Sequence, residues 1–114
     1  MDQVPKRFKR ELSQLAGVAY ERELARELHG LREQFDRWQR GKLTPFELSD
    51  AIHRFHDGPA RDLYVHYMRG HVKPLVAYAI AAGVIERRET SPDVLEYLAP
   101  EIRFSQEDRA QPEG

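Results

Sequence analysis

The chain has 114 residues, a length that allows one hydrophobic core and predicts a single domain. Hydrophobic residues make up 40% and charged residues 32%, a balance typical of a protein with long exposed helical faces. The formal net charge of −1 gives no overall basic footprint for nucleic acid, and the absence of cysteine excludes disulfides, thiolate metal sites and a cysteine nucleophile.

The longest apolar run extends from Leu75 to Ile85. It covers about half of the roughly 20 residues that a membrane-spanning helix requires. It also lacks the setting of a signal peptide. We therefore expect a cytoplasmic protein without a membrane segment, and the cysteine-free composition fits a reducing compartment.

The first predicted element is a long helix from Pro5 to Arg40, with Gly41 as its stop, because strong helix formers dominate this stretch. Two apolar stripes run along it, and on an ideal helix their centres lie about 140° apart. Either the helix bends near Gly17, or its two halves face different partners. The first stripe consists of Phe8, Leu12, Leu15 and Ala19, and the second, named the Leu24–Trp38 stripe, of Leu24, Leu28, Leu31, Phe35 and Trp38.

The Leu24–Trp38 stripe repeats at alternating steps of four and three residues, the spacing of a packed helix pair. A long helix with two apolar faces is what an intertwined dimer requires, although helices of the same chain can also cover both faces. We predict a homodimer interface on this stripe, and a different protein partner stays open as an alternative.

A second helix is predicted to begin at Thr44, because Thr44 and Glu47 have the spacing of a capping box. Gly58 is predicted to end it in the left-handed conformation, and Pro59 is suited to open the next helix at once. Gly70 marks the end of that helix. The result would be a helical hairpin or corner with almost no loop.

Pro74 is predicted to open a helix that Gly83 closes. The helix carries no charged residue between Pro74 and Gly83. It should therefore be buried nearly all round, either within one chain or between two. A last short helix is predicted from Ser91 to about Leu98, with Pro100 as its end.

Ile102 and Phe104 are predicted to attach the following segment to the body of the protein. Residues 105–114 are polar without a periodic apolar set, which predicts a disordered tail. The predicted fold is an all-α small helical bundle over residues 1–104. It contains one long N-terminal helix, straight or bent, a central helical hairpin and a buried C-terminal helix.

The densest group of reactive side chains lies at the junction of the two central helices and comprises His53, His56, Asp57, Arg61 and Tyr64. Histidines three residues apart are neighbours on a helix, so they can share a metal or a phosphate. Asp57, His66 or His71 would supply the third ligand of a catalytic zinc. The structural alternative is that His56 and Asp57 only stabilise the helix ends through the helix dipoles.

Two short motifs at this junction resemble those of enzyme families. His56 and Asp57 resemble the paired motif of HD phosphohydrolases, which need further His and Asp ligands in a larger helical domain. A second pattern consists of Arg61, a polar residue, a three-residue spacer and His66. It is similar to the signature of HEPN ribonucleases. These are all-helical domains that are often dimeric and often form one half of a toxin and antitoxin pair. That resemblance implies that Arg61 stabilises charge and His66 transfers a proton. On an ideal helix beginning at Pro59, these two side chains point about 140° apart.

Charge is unevenly distributed along the chain. The region after Ile85 carries eight acidic residues against four basic ones, and the amino-terminal basic cluster consists of Lys6, Arg7, Lys9 and Arg10. The two regions can neutralise one another within or between subunits, their charges can simply be solvated, or the basic cluster can bind RNA or DNA. We favour neutralisation or solvation, because a phosphate-binding surface usually collects more cations than one short cluster supplies.

The leading hypothesis is a non-enzymatic helical interaction module that forms a homodimer, with no cofactor or metal. The first helix and the uncharged helix from Pro74 to Ala82 would build its interface. The alternative is a small hydrolase or HEPN-like ribonuclease that acts through the junction residues His53, His56 and Arg61, or through Arg61 and His66. Nucleic-acid binding through the basic cluster is a third hypothesis.

Overall fold

The computed structural model describes residues 4–110, and every regular element in that range is helical, which confirms the predicted all-α bundle. Within the described range, no helix is both long and apolar enough to cross a bilayer. In chain order the elements are α1 (Lys6–Gln39), α2 (Pro45–Phe55), a π-helical turn (His56–Ala60), α3 (Arg61–Arg69), α4 (Val72–Ala81), a 3-10 turn (Arg87–Glu89) and α5 (Pro92–Ala110).

The chain forms two compact units. Unit 1 combines the described residues up to Tyr20 with those from Gly70 onward, and it contains the first part of α1 together with α4 and α5. Unit 2 runs from Glu21 to Arg69 and contains the rest of α1, α2, the π-helical turn and α3.

The helix α1 is a single element of 34 residues that continues through Gly17 without a break. Its end at Gly41 is confirmed, because this glycine has a φ of 76°. The Gly41 N–H donates to the Trp38 carbonyl at 3.0 Å and the Lys42 N–H donates to the Arg37 carbonyl at 2.8 Å. These two hydrogen bonds form a Schellman motif, which satisfies carbonyls that the helix end would otherwise leave open.

The core of unit 1 is formed by the first stripe of α1, by α4 and by one face of α5, and α4 packs directly on α5. From Pro74 onward α4 carries no charge and is buried nearly all round, as predicted, and the exposed residues of this segment are Pro74 and Tyr78. Because α4 is buried within one chain, we assign no interface to it. The buried apolar residues of unit 1 are Phe8, Leu12, Leu15, Ala19, Leu75, Val76, Ala77, Ala79, Ile80, Val84, Ile85, Val94, Leu98 and Ile102.

The boundaries of α4 agree closely with the prediction. Gly83 closes it with a φ of 78°. The helix begins at Val72, two residues before the predicted start, and His71 is its extended N-cap residue. Pro74 lies in the first turn, where a proline removes no hydrogen bond because the first N–H groups of a helix have no intrahelical acceptor.

The prediction that Pro100 ends the last helix is wrong, because α5 continues through it to Ala110. A proline in a helix interior removes one hydrogen bond and costs about 3 kcal/mol. Leu98 and Ile102 are four residues apart on one face of α5, and both are fully buried. Their burial offsets the cost of the proline, since each contributes about 1.5–3 kcal/mol when removed from water.

Ile102 attaches the segment after Pro100 to unit 1, as predicted, whereas Phe104 is 72% exposed and does not. Residues 105–110 of the predicted disordered tail form the last turns of α5, and residues 111–114 lie outside the described residues. A single domain over residues 1–104 stays a prediction.

In unit 2 the predicted start of α2 is confirmed. The Glu47 N–H donates to Thr44 Oγ1 at 3.1 Å, and the Thr44 N–H donates to Glu47 Oε1 at 2.9 Å. The two hydrogen bonds form a capping box, and Pro45 occupies the first helical position.

The junction of α2 and α3 has no loop, as predicted, but the prediction that Gly58 takes the left-handed conformation there is wrong. Its φ is not positive, and residues from His56 to Ala60 form a π-helical turn that continues the helical backbone. In a regular α-helix the ring of Pro59 would clash with the Phe55 carbonyl. The wider turn accommodates the proline without ending the helix.

Candidate functional site

The five catalytic candidates predicted from the sequence are all exposed: His53, His56, Asp57, Arg61 and His66. His53 lies on α2, His56 and Asp57 lie in the π-helical turn, and the other two lie on α3. Among residues 4–110 no group of three or more His, Cys, Asp or Glu side chains is placed to hold a metal ion. A catalytic role for these residues stays a prediction.

The two residues of the HEPN-like pattern lie on the same regular helix. Arg61 and His66 belong to α3, on which a separation of five residues turns the side chains about 140° apart. The His66 ring contacts Tyr67 edge-on, with ring centroids 4.9 Å apart. The Tyr67 hydroxyl donates to Glu23 at 2.7 Å, which links α3 to α1 within unit 2. This arrangement directs Arg61 and His66 to different sides of α3, whereas shared catalysis needs both at one reacting centre.

The basic cluster lies on the first turns of α1, beside acidic residues of unit 1. Arg7 lines a pocket of about 280 Å³ together with Asp93 and Glu96, and it also borders a groove of about 680 Å³ that Glu11 and Glu89 line. The pocket has two acids against one base, and in the groove Glu11 and Glu89 balance Arg7 and Arg10. Neither lining has the excess of positive charge that attracts a phosphate. The four basic residues, which are all exposed, are Lys6, Arg7, Lys9 and Arg10.

Lys73, Glu101 and Tyr97 form a polar contact group in unit 1 that sequence reasoning missed. Lys73 Nζ lies 3.1 Å from Glu101 Oε1 and 4.3 Å from the centroid of the Tyr97 ring, which in turn lies 4.9 Å from the Phe8 ring. The hydrogen bond to Glu101 raises the pKa of Lys73 above its usual value of 10.5, against the lowering effect of burial. The group links α4, α5 and α1, and no spacing in the sequence indicates contacts between residues so far apart.

Seven large apolar side chains of unit 2 lie at the surface. Within the described residues of this unit, Leu48 and Tyr67 are the buried apolar side chains. In the described part of unit 1, only Tyr78 and Phe104 are large, apolar and exposed. The corresponding exposed side chains of unit 2 have between 38% and 83% of their surface in water. They are Leu28, Phe35, Trp38, Phe46, Ile52, Tyr64 and Met68.

The Leu24–Trp38 stripe is divided between the interior of unit 2 and water. Leu24 and Leu31 are half-buried, whereas Leu28, Phe35 and Trp38 are exposed and form its outer edge. Part of the stripe predicted as an interface, Leu24 and Leu31, thus packs inside unit 2. Its role as an interface between subunits stays a prediction.

A groove of about 300 Å³ lies between α1, α2 and the π-helical turn of unit 2. A Cβ atom built at Gly30 would meet no atom within 4 Å, so the groove is open above this glycine. A glycine inside a long helix costs about 1 kcal/mol relative to alanine, so Gly30 is an unusual residue in α1. Gly17 has the same setting, however, so the sequence does not distinguish the groove from the rest of the helix. Residues that line it include Glu27, Gly30, Leu31, Arg54, Phe55 and Pro59.

Comparisons of the chain with protein-family models, with curated proteins and with solved structures find no match. The class of the protein therefore rests on its own structure. It is an all-α protein in which one compact unit has a buried apolar core and the other leaves seven large apolar side chains exposed.

Proposed function

We propose that the protein is a non-enzymatic helical interaction module that forms a homodimer through the apolar surface of unit 2. The contrast between the two units carries this proposal. Unit 1 buries the apolar faces of α4 and α5 together with the first stripe of α1, whereas unit 2 leaves seven large apolar side chains exposed. Removing apolar surface from water is the main favourable term in association, so unit 2 has a larger driving force to bind than unit 1, which exposes two such side chains in its described part.

The outer edge of the Leu24–Trp38 stripe is the part of this surface best suited to an interface. Leu28, Phe35 and Trp38 project from one long, regular helix, so they present a contact surface whose backbone is already ordered. Aromatic residues are enriched at interface centres because they remove a large area from water at a small cost in conformational entropy. Ordered backbone lowers the entropic cost of association further.

Sedimentation velocity over a range of protein concentrations tests this function. We expect a dimer at micromolar concentrations, and we expect Leu28→Glu and Phe35→Glu to shift the protein to monomer, because each places a charge in an apolar contact. Far-ultraviolet circular dichroism checks that both variants keep their helix content.

Phe104→Glu is the matched control, because Phe104 is also an exposed phenylalanine on a helix but belongs to unit 1. It should leave the dimer unchanged. A monomeric wild-type protein at all concentrations, or an equal loss of dimer in the Phe104 variant, contradicts the proposal.

A further inference from the structure

We infer that the second subunit docks over the groove of unit 2 by a two-fold axis, so that Glu27 of each subunit pairs with Arg54 of the other. This inference rests on the proposed function, because it names the geometry and the charge pairs of the same homodimer. Three observations support it: the charge balance of unit 2, the lining of the groove and the amount of exposed apolar surface.

The charge of unit 2 favours a second copy of the same unit. Residues 21–69 contain nine acidic and nine basic residues, so their formal charge is zero with histidine neutral. A net charge far from zero keeps identical molecules apart, and a balanced charge removes this repulsion. A neutral unit also lacks the basic footprint that nucleic acid requires.

The groove carries one exposed acid and one exposed base on different helices, Glu27 on α1 and Arg54 on α2. In the described part of the chain neither side chain has an ion-pair partner. When a two-fold axis places Glu27 of one subunit opposite Arg54 of its partner, it also places Arg54 of the first subunit opposite Glu27 of the partner. Two copies related in this way form both Glu27 to Arg54 pairs at once, which makes the groove complementary to itself.

The space above Gly30 and the neighbouring apolar side chains Leu31 and Phe55 complete the surface. Since nothing lies within 4 Å of a Cβ built at Gly30, the helix of a second subunit can approach α1 closely there. Close approach removes water from the apolar lining and from the two charge pairs. Without water the Coulomb interaction of each pair is larger, so the pairs select the register in which opposite charges meet.

The exposed apolar area of unit 2 is of the order that a dimer interface needs. At about 150–250 Å² for each aromatic side chain, the exposed fractions of its four exposed aromatic residues leave on the order of 300–550 Å² in water. These residues, on α1, α2 and α3, are Phe35, Trp38, Phe46 and Tyr64. An interface of standard size covers about 800 Å² on each partner, of which somewhat more than half is apolar.

Charge exchange between subunits tests the inference. In Glu27→Arg alone two arginines face each other across the axis, and in Arg54→Glu alone two glutamates do. We expect each single variant to dissociate at a concentration about tenfold higher than wild type, because like charges replace both pairs. The double variant Glu27→Arg with Arg54→Glu restores opposite charges and should dimerise within about threefold of wild type.

A mixture of the two single variants gives the sharpest result. In their heterodimer every position 27 faces a position 54 of opposite charge, so native mass spectrometry should show the heterodimer in excess of both homodimers. A role of Glu27 or Arg54 in the folding of one subunit cannot produce this preference. Glu33→Arg is the control, because Glu33 is an exposed acid on the same helix that does not line the groove, and it should leave the dimer unchanged.

The possible failures are distinguishable. If wild type is monomeric at every concentration, the proposed function and this inference both fail. If wild type is a dimer that Phe35→Glu disrupts, but the mixed single variants show no preference for the heterodimer, the proposed function stands and the docking geometry is wrong.

Discussion

Glu11 on α1 accepts two hydrogen bonds from Ser91, the residue that precedes α5. The Ser91 N–H donates to Glu11 Oε2 and the Ser91 hydroxyl donates to Oε1, each at 2.8 Å. The same hydroxyl oxygen accepts from the Val94 N–H at 3.3 Å. A carboxylate from the first helix therefore completes the cap of the last one, where the positive end of the helix dipole favours negative charge.

Replacing Glu11 should destabilise unit 1. In Glu11→Ala the Ser91 N–H loses its acceptor in a partly buried position, and a lost hydrogen bond to a charged group costs about 1.5–3 kcal/mol. We expect the free energy of unfolding, measured by urea denaturation, to fall by that amount. Glu21→Ala, an exposed acid on the same helix, should change it by less than about 0.5 kcal/mol. Equal effects of the two substitutions would show that the cap contributes nothing.

The Lys73 and Glu101 contact should make stability depend on pH in the alkaline range. The pKa of Lys73 is raised in the folded protein, mainly by its hydrogen bond to Glu101. A raised pKa in the folded state adds stability that is fully present below the unfolded value near 10.5 and is lost as pH rises through the folded value. The stability difference between wild type and Lys73→Met should therefore decrease above about pH 10.5.

Urea midpoints at a series of pH values measure this difference. Lys9→Met is the control for the loss of a lysine from a helix, because Lys9 is exposed on α1. A difference for Lys73→Met that stays constant through pH 11 contradicts the assigned role of the hydrogen bond to Glu101.

The three glycines that end or join helices should respond differently to alanine. Gly41 and Gly83 have φ values of 76° and 78°, and a left-handed conformation costs an alanine about 1–2 kcal/mol. Gly58 lies in the π-helical turn without a positive φ, and a Cβ atom there would meet nothing within 4 Å. We expect Gly41→Ala and Gly83→Ala to lower the melting temperature and Gly58→Ala to leave it unchanged or raise it. A clear loss of stability in Gly58→Ala would instead indicate a left-handed residue at the junction.

Local signals in the sequence were reliable where the chemistry of a helix end is local. The capping box of Thr44 and Glu47 and the left-handed stops at Gly41 and Gly83 are all present. Each depends on residues within one turn of the helix end, so the sequence contains the whole interaction.

Helix breakers were misjudged where distant residues decide the structure. Pro100 was predicted to end a helix, but the burial of Leu98 and Ile102 keeps α5 helical on both sides of it. Gly58 was predicted to stop α2, but the backbone continues as a π-helical turn into α3. A local preference of about 1–3 kcal/mol is easily outweighed by tertiary packing, which a single sequence does not display.

The sequence predicted only part of the apolar surface and groove of unit 2. The four and three residue spacing indicated the Leu24–Trp38 stripe, but its division into half-buried Leu24 and Leu31 and exposed Leu28 and Phe35 depends on how α2 and α3 pack on α1. The groove needs contributions from residues 27–59, and no periodic pattern joins these positions.

Substitution of Gly30 should increase the stability of the single subunit and weaken the dimer. In Gly30→Gln a good helix former replaces glycine inside α1, and because no atom lies within 4 Å of the new Cβ, the subunit should gain about 0.5–1 kcal/mol. The same side chain projects into the groove of unit 2, so the dimer should dissociate at a concentration at least about tenfold higher.

Gly17→Gln is the matched control for this pair of effects. Gly17 also lies inside α1 with open space around its Cβ position, but it belongs to unit 1. It should raise the melting temperature by a similar amount and leave the sedimentation profile unchanged. If both variants dimerise like wild type, the groove is not occupied by the second subunit, and if both dissociate, the effect arises from α1 as a whole and not from the groove.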